Sequence, residues 1–444
     1  MSGRFVLGID VGTTGAKAMC VSDGGEILGR AYRGYALCRE NGVITQDPRD
    51  WYEAVCAIAR EAAGDRAPEV EAVSFSTQGG TLVLTDGKGE PVCPASSWMD
   101  GSGGAGVEAL KASAGDVRGI TGWEANGWMS AAKLSCGGDH GAEKVLSTVE
   151  YVNYHLTGRF ACDPSNGAMQ GLMDARLQDW DDRLLAAAGV RREQMPELVP
   201  SGTVVGGLTE KAAEDLGLSA GIPVISGGHD QYCAALGAGL SEPGDLLISG
   251  GTAWVLLTLT KEIPSFGAWE RPLTGPGYGV ISSISSAGAS MEWASRLAGC
   301  SLREADEGAA AVRDAPRFYV GFGGPEGARL CGLELDHDRF AVLRAVMEGV
   351  AFEVRRRAEP FGTPAGVFVN GGASKSGVWM QILADILGRP VTVIEERDLA
   401  CVGAAKLAFL GLGQKVELTF SRHDVTPIRD ETARYCRWME GCRG

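Results

Sequence analysis

Histidine is scarce in this chain, with five in 444 residues and no two close together. None of the 12 cysteines belongs to a Cys-x-x-Cys pair, and the nearest two, Cys436 and Cys442, are six apart. A zinc or iron–sulfur site is therefore not expected, and such scattered thiols read as small, reduced core residues. Basic charge is in deficit: 41 Lys and Arg stand against 56 Asp and Glu, a formal net charge of −15. A chain so acidic has no electrostatic reason to coat nucleic acid or an anionic membrane. Any phosphate ligand must be held by local backbone dipoles and a metal rather than by bulk charge. Long apolar runs are missing too. The uncharged stretch 246–260 has 15 residues and contains Gly and Ser, short of the ~18 of a spanning helix. Met1-Ser2-Gly3-Arg4 leads straight into an apolar strand at 5–9 rather than a secretory core, so a cytoplasmic protein is expected. No G-x-x-x-x-G-K-[ST] occurs, which excludes a P-loop.

Glycine, by contrast, is abundant: 65 residues, about twice the usual ~7%, without a collagen period. It implies many tight turns, some able to bring bare backbone against a ligand. The length suits two or three domains, or two similar lobes. Strands alternate with helices, which argues an α/β fold. Asp47 reads as an N-cap with Pro48 at the first helical position, followed by a stripe of Trp51, Ala54, Val55, Ile58, Ala59 and Ala62. Leu343, Val346, Met347, Val350 and Ala351 make a second stripe, and Trp379, Ile382, Leu383 and Ile386 a third. Apolar runs at 70–75, 222–225, 367–369 and 391–394 read as buried strands.

One internal similarity stands out. Leu7-Gly8-Ile9-Asp10-Val11-Gly12-Thr13-Thr14 is a strand, a Gly-Thr turn and the start of a returning strand. Leu246-Leu247-Ile248-Ser249-Gly250-Gly251-Thr252, with a second strand from 254 to 259, repeats that plan half a chain later. Two related lobes would each open with such a hairpin, the second near Glu242-Pro243-Gly244; two independent hairpins would look the same.

Two familiar patterns are set aside. Gly101–Gly106 fits G-x-G-x-x-G but follows a polar segment, not a buried strand, and reads as a loop. Gly217–Gly221 fits G-x-S-x-G but lies between a helix and a strand, the reverse of a nucleophile elbow.

Four segments carry chemistry instead. The Gly-Thr tips present backbone N–H groups and hydroxyls suited to phosphate oxygens. Asp10, at the end of the first strand, is placed to hold Mg²⁺ or merely to cap the turn. Lys17 reads equally as a solvated strand residue. The run Pro223-Val224-Ile225-Ser226-Gly227-Gly228-His229-Asp230-Gln231 takes a buried strand through a glycine bend into a helix expected at 232–238. Asp230 is there either a general base for a substrate hydroxyl or a helix N-cap. The run Val367-Phe368-Val369-Asn370-Gly371-Gly372-Ala373-Ser374-Lys375-Ser376 makes a similar bend, able to lay a flat ring on bare backbone or simply to cap a helix through serine.

In this order the four segments resemble the FGGY carbohydrate kinases, a family of the actin-like ATPase superfamily with a duplicated domain. The resemblance spans residues 5 to about 412. It includes Asp47–Trp51, Trp98-Met99-Asp100, Tyr154-His155-Leu156-Thr157-Gly158, Arg344–Phe352 and Gly403–Gly411. It implies an α/β fold of two duplicated actin-like, ribonuclease H-like domains around an ATP and sugar cleft, at 1–241 and 242–444. Residues 7–17 are similar to the first phosphate hairpin, placing Asp10, Thr13, Thr14 and Lys17 with ATP and Asp10 with Mg²⁺. Gly251 and Thr252 fall in the second phosphate hairpin. Gly372 and Ser376 fall in the adenosine-binding turn, and Asp230 takes the place of the catalytic base. The implied partners are ATP and a small sugar or polyol, with a homodimer as the family's habit.

The acceptor segments depart from the pattern. Xylulokinases usually carry Gln-Met-His after the strand ending near 76, and glycerol kinases Gln-Arg-Glu; this chain has Gln78-Gly79-Gly80. Ser102 stands where the family's W-x-D-x-R stretch has Arg, and 318–332 is short and lacks Glu-Arg-Thr-Pro. These losses are expected to enlarge the acceptor pocket and make it less polar. Gln78, Gly79 and Trp98 would line it, unless Trp98 is an ordinary core residue. The reading is phosphorylation of a sugar or polyol, in first place a ketose such as a pentulose. The alternative is a catalytically degraded sensor of a sugar or nucleotide.

Overall fold

A computed structural model describes residues 4–137, 141–324 and 327–442. Met1, Ser2 and Gly3, and two residues of the 318–332 segment, lie outside them. The chain forms two compact units. The first takes the chain up to Gly239 together with Ala268–Tyr278 and Asp398–Thr419. The second is built from Leu240–Gly267, Gly279–Arg397 and the chain from Phe420 onward. Neither is one continuous run. No described helix is long and apolar enough to cross a membrane.

The first unit is organised on a mixed sheet. Its strands are β1 (Phe5–Val11), β2 (Gly15–Ser22), β3 (Ile27–Gly34), β4 (Val70–Thr77), β5 (Val204–Gly207) and β6 (Pro223–His229), in the order β5-β6-β4-β1-β2-β3. β1 and β2 are the expected hairpin, with Asp10 opposite Lys17. β4 lies parallel to β1, β6 parallel to β4, and β5 closes the edge antiparallel to β6. The second unit repeats the plan with β7 (Leu246–Gly250), β8 (Trp254–Thr260), β9 (Tyr278–Ile284), β10 (Val367–Gly371), β11 (Val391–Ile394) and β12 (Arg422–Val425). β7 and β8 form the hairpin, β10 is parallel to β7, β11 is parallel to β10, and β12 is antiparallel to β11. The same succession in both units is the duplication suggested by the two Gly-Thr hairpins.

The helices follow their apolar stripes. α1 (Pro48–Ala63) is capped by the Asp47 carboxylate, which accepts from Arg49 N at 3.0 Å, and every residue of its expected stripe is buried. α2 is Asp230–Ala238, α3 Arg339–Ala358, α4 Gly377–Leu387 and α5 Leu399–Gly411. α2 begins two residues earlier than the sequence suggested. α3 and α4 bury their stripes in a core with Leu246, Ile248, Trp254 and Trp438. In the first unit, Leu7, Ile9, Trp51, Ile58, Phe75 and Leu156 share another core. The Gly101–Gly106 run, expected as a loop, is half helix: a helix starts at Gly104. Two of its glycines serve close packing, since a Cβ on Gly103 would overlap the carbonyl of Gly127 and one on Gly106 the carbonyl of Ala132.

α5 returns late in sequence to seat the first unit's site. A Cβ on Gly8 of β1 would overlap the Cys401 carbonyl, one on Gly237 of α2 the Leu399 carbonyl, and one on Gly403 the Cys233 carbonyl. Strand, helix and helix therefore meet backbone to backbone. Gly403→Val should lower stability by about 1–3 kcal/mol or more, read as a lower urea midpoint. Gly104→Ala, with nothing near its Cβ, should stay within about 0.5 kcal/mol of the parent. Equal midpoints for both variants would refute the close seat.

Candidate active site

The tip of the first hairpin is braced from several sides. Gly12 N donates to Gly15 O at 3.1 Å, and the Tyr35 hydroxyl donates to Gly12 O. Gln46 Nε2 donates to Thr13 O at 2.8 Å, and Trp98 Nε1 donates to Thr13 Oγ1 at 2.8 Å. Gln78 is buried and donates to Gln46 Oε1 at 2.9 Å, so it stiffens the brace of the tip. The Thr13 hydroxyl accepts from Trp98 and keeps its own proton to donate; Thr14 is exposed. Lys17 pairs with Asp398 at 2.7 Å. Burial disfavours charge on Lys17, but the Asp398 carboxylate outweighs it and holds the ammonium above its ordinary pKa.

Asp10 is the last residue but one of β1, beside this tip. Ser76 Oγ, on neighbouring β4, donates to its Oδ1 at 2.7 Å. Burial first, then the charge of Asp230, push the Asp10 carboxyl up to about 7. A hard cation beside it would relieve both effects, and carboxylate and hydroxyl oxygens are donors suited to Mg²⁺. Asp230 is held within electrostatic range of Asp10 by the path of β6. Gly227 allows that path, because a Cβ there would overlap the Phe75 carbonyl of β4. The N-cap of α2 is His229, which makes no capping bond through its side chain; Asp230 is the first residue of the helix. The capping reading of Asp230 is thereby set aside. Its carboxylate is 32% exposed, with Oδ1 at 3.1 Å from His229 Nε2.

The acceptor segments correct one expectation. Gly79 and Gly80 leave no void. A Cβ on Gly79 would stand 2.7 Å from Met169 Cγ and 3.0 Å from His229 Cδ2. One on Gly80, which has φ of +72°, would stand 2.7 Å from the Trp128 ring. Neighbouring side chains have closed onto bare backbone, so the room is filled by a thioether, an imidazole and an indole rather than enlarged. Trp98 is 41% exposed and is no core residue. Ser102 donates to Asp100 Oδ2 at 2.7 Å, as does Ser96, and Lys133 Nζ donates to Ser97 O at 2.7 Å. Burial opposes charge on Asp100, but the hydrogen bonds from Ser102 and Ser96 keep its carboxyl below the usual range. Burial draws Lys133 down to about 8.

In the second unit, Gly251 and Thr252 form an exposed tip, with Gly251 N donating to Ala253 O at 3.2 Å and Thr252 O accepting from Ala289 N at 3.0 Å. Gly371, at φ of +95°, lies where a Cβ would be 2.7 Å from Gly250 O, so only glycine fits between tip and bend. Gly372 follows, exposed. Ser376 caps α4: its hydroxyl accepts from Trp379 N at 2.9 Å and donates to Asp306. That hydroxyl is committed on both sides.

Family models for the FGGY carbohydrate kinases match the chain twice, the N-terminal domain over residues 5–237 and the C-terminal domain over 246–412. The chain belongs to the FGGY family of carbohydrate kinases. This FGGY kinase is 31% identical to a glycerol kinase of Gloeobacter violaceus, covering 92% of this chain and 88% of that one. It is 28% identical to a xylulose kinase of Escherichia coli, covering 90% and 89%. The crystal structure of a xylulose kinase from Rhodospirillum rubrum superimposes with a TM-score of 0.93 at 26% identity, covering 99% of this chain and 97% of that one. The α/β fold of two actin-like domains expected from the sequence is the fold of this FGGY kinase.

Several residues at the site of this FGGY kinase carried no sequence signal. Met169 and Trp128 look like ordinary apolar residues until Gly79 and Gly80 are seen against them. Glu270 lies in Ala268–Tyr278, the stretch that joins the first unit after the chain has entered the second. It is 2% exposed and accepts from Trp123 Nε1 at 2.6 Å. Burial pushes its carboxyl from 4.5 up to about 8. Between those values the folded chain holds a proton that the unfolded chain releases, so this group makes stability fall as pH rises through the window. Glu270→Gln removes the linkage. From about pH 5 to about pH 8 the parent's Tm should drop relative to that of Glu270→Gln. Parallel Tm profiles would refute a protonated Glu270.

Proposed function

We propose that this FGGY chain transfers the γ-phosphoryl group of Mg²⁺-ATP to a hydroxyl of a small sugar or polyol, in first place a ketose such as a pentulose. The observation that carries the reading is the state of Asp230: a half-exposed carboxylate at the start of α2, one oxygen held by His229, in electrostatic range of Asp10. Asp230 takes the proton of the attacking hydroxyl while the new O–P bond forms and the bond to the β-phosphate oxygen breaks, releasing ADP. The chemistry is chiefly positioning and charge stabilisation. Backbone N–H groups and hydroxyls of Thr13, Thr14 and Thr252 donate to phosphate oxygens, and Gly251, whose own N–H closes the second tip, keeps a side chain out of their way. In a chain of −15, local donors of this kind serve where bulk positive charge is missing. Asp10 would hold Mg²⁺, which when bound offsets phosphate charge.

Lys17 is paired with Asp398, so its charge reaches a nucleotide only as part of that pair. Gly372 offers bare backbone to the adenosine. Ser376 acts there by holding the start of α4, since its hydroxyl is committed. Gln78 serves the acceptor by bracing the Thr13 tip, and Gly79 by admitting His229 and Met169. Trp98 offers an exposed indole face to the acceptor while its N–H holds Thr13. Xylulose and glycerol kinases stand at comparable identity to this chain, so the acceptor panel must span pentuloses, aldoses and polyols.

Coupled ADP release with Mg²⁺-ATP across that panel is the direct test. Asp230→Asn should reduce sugar-dependent release by roughly 10²–10⁴-fold with nucleotide affinity nearly unchanged; undiminished turnover would remove Asp230 from the role of base. Thr252→Val should raise the KM for ATP several-fold and leave the acceptor KM close to the parent value. The opposite pattern would overturn the phosphate assignment of the second tip.

A further inference from the structure

A buried polar network joins the end of β4 to the start of α2. Its members are Asp163, Ser165, Asn166 and Thr77, all buried. Asp163 caps the short helix Pro164–Met169, with Oδ1 accepting from Asn166 N at 3.0 Å. Capping needs no more than that one oxygen, which serine or asparagine would supply without burying a charge. The carboxylate does more. Oδ1 also accepts from Ser165 Oγ, and Oδ2 accepts from Asn166 Nδ2 at 2.7 Å. A carboxylate only accepts, so it binds the hydroxyl hydrogen of Ser165 and an amide hydrogen of Asn166 and settles which way each side chain faces. Their acceptor atoms are then turned to two other elements. Ser165 Oγ accepts from His229 N at 2.8 Å, and Asn166 Oδ1 accepts from Thr77 Oγ1 at 3.1 Å.

The two anchored residues are those whose spacing the reaction needs. Thr77 ends β4 and leads into Gln78 and Gly79, while His229 ends β6 and precedes Asp230. The strands run parallel with His229 opposite Thr77, but their register shifts between Ile225 and Gly228. The regular ladder is therefore interrupted just before it reaches these two residues, and the Gly227-Gly228 bend has no side chains of its own to stiffen it. The short helix that carries Ser165 and Asn166 also ends on Met169, which lies against Gly79. We propose that Asp163 is a positioning residue for phosphoryl transfer: through Ser165 and Asn166 it clamps the Asp230 end of β6 against the acceptor end of β4. This rests on the reading of Asp230 as the base. No proton moves along the network during the reaction, and no covalent bond in it is made or broken. It sets the distance and angle at which the Asp230 carboxylate meets the acceptor hydroxyl, and a misplacement of about 1 Å costs about a hundredfold in rate.

The test uses the full chain with Mg²⁺-ATP and the panel acceptor of highest turnover, and the Tm of each variant is measured so that the assays run on folded protein. Asp163→Asn sets one amide donor against the Asn166 amide, and Asn166→Asp sets one carboxylate against another. Each should lower kcat by about ten- to a hundredfold with the KM for ATP unchanged. The two substitutions together restore every bond: the new asparagine accepts from Ser165 Oγ and from the backbone N–H of residue 166 and donates to the new aspartate, whose other oxygen accepts from Thr77. The double exchange should recover most of kcat. Ser165→Ala releases only the His229 branch and should lower kcat with the acceptor KM near the parent value. Thr77→Val keeps the shape of the side chain, releases only the β4 branch and should raise the acceptor KM several-fold. Parental kcat and acceptor KM in both Ser165→Ala and Thr77→Val, beside an inactive Asp230→Asn, would overturn the clamp and leave the base intact. A fully active Asp230→Asn would overturn the base and the clamp with it. A double exchange no more active than its single variants would overturn the clamp by itself.

Discussion

The site in the first unit depends on backbones that touch with no side chain between them. β1 lies on α5 through Gly8, α2 lies on α5 through Gly237 and Gly403, and β6 lies on β4 through Gly227. Each contact removes a Cβ that would otherwise hold the elements apart. Asp10 and Asp230, on different elements, come within reach of each other's charge because of it. Protein interiors resist even small volume changes, so the separation of the two carboxylates is fixed by packing rather than by their own hydrogen bonds.

That packing draws acidic groups together in a chain that is already acidic. Asp10 and Glu270 are driven toward their neutral forms, by burial above all. His229 is the basic group set against this: burial opposes its charge, but Asp230, Glu270 and Asp163 together hold its pKa above the ordinary value. The chain has few histidines, and this one lies where its charge state matters most.

The parts of the structure legible in sequence are those whose cause is local. α1 shows its cap, its proline and its stripe within seventeen residues of chain, and all of them hold. Both Gly-Thr hairpins and the strands leading into Asp230 and Gly372 are apolar runs ended by glycine, readable without any partner. What could not be read depends on meetings far apart in sequence. Gly79 and Gly80 looked like lost side chains, yet Met169, His229 and Trp128 had moved in against them. The helix starting at Gly104 was hidden by glycines whose purpose is close approach to Gly127 and Ala132. Glu270 belongs to the three-residue strand Ala268–Glu270, with no period of its own, and only the fold brings it within electrostatic range of His229.

The late return of α5 has a consequence for biosynthesis. β1 is synthesised long before α5, the helix that covers Gly8, and most of the second unit lies between them in sequence. Until then the first sheet has one apolar face open and α2 has no seat. Domains usually fold as units in the order of their synthesis, and contacts so distant in sequence slow folding. The nascent first unit therefore waits, incomplete, while most of the second is translated.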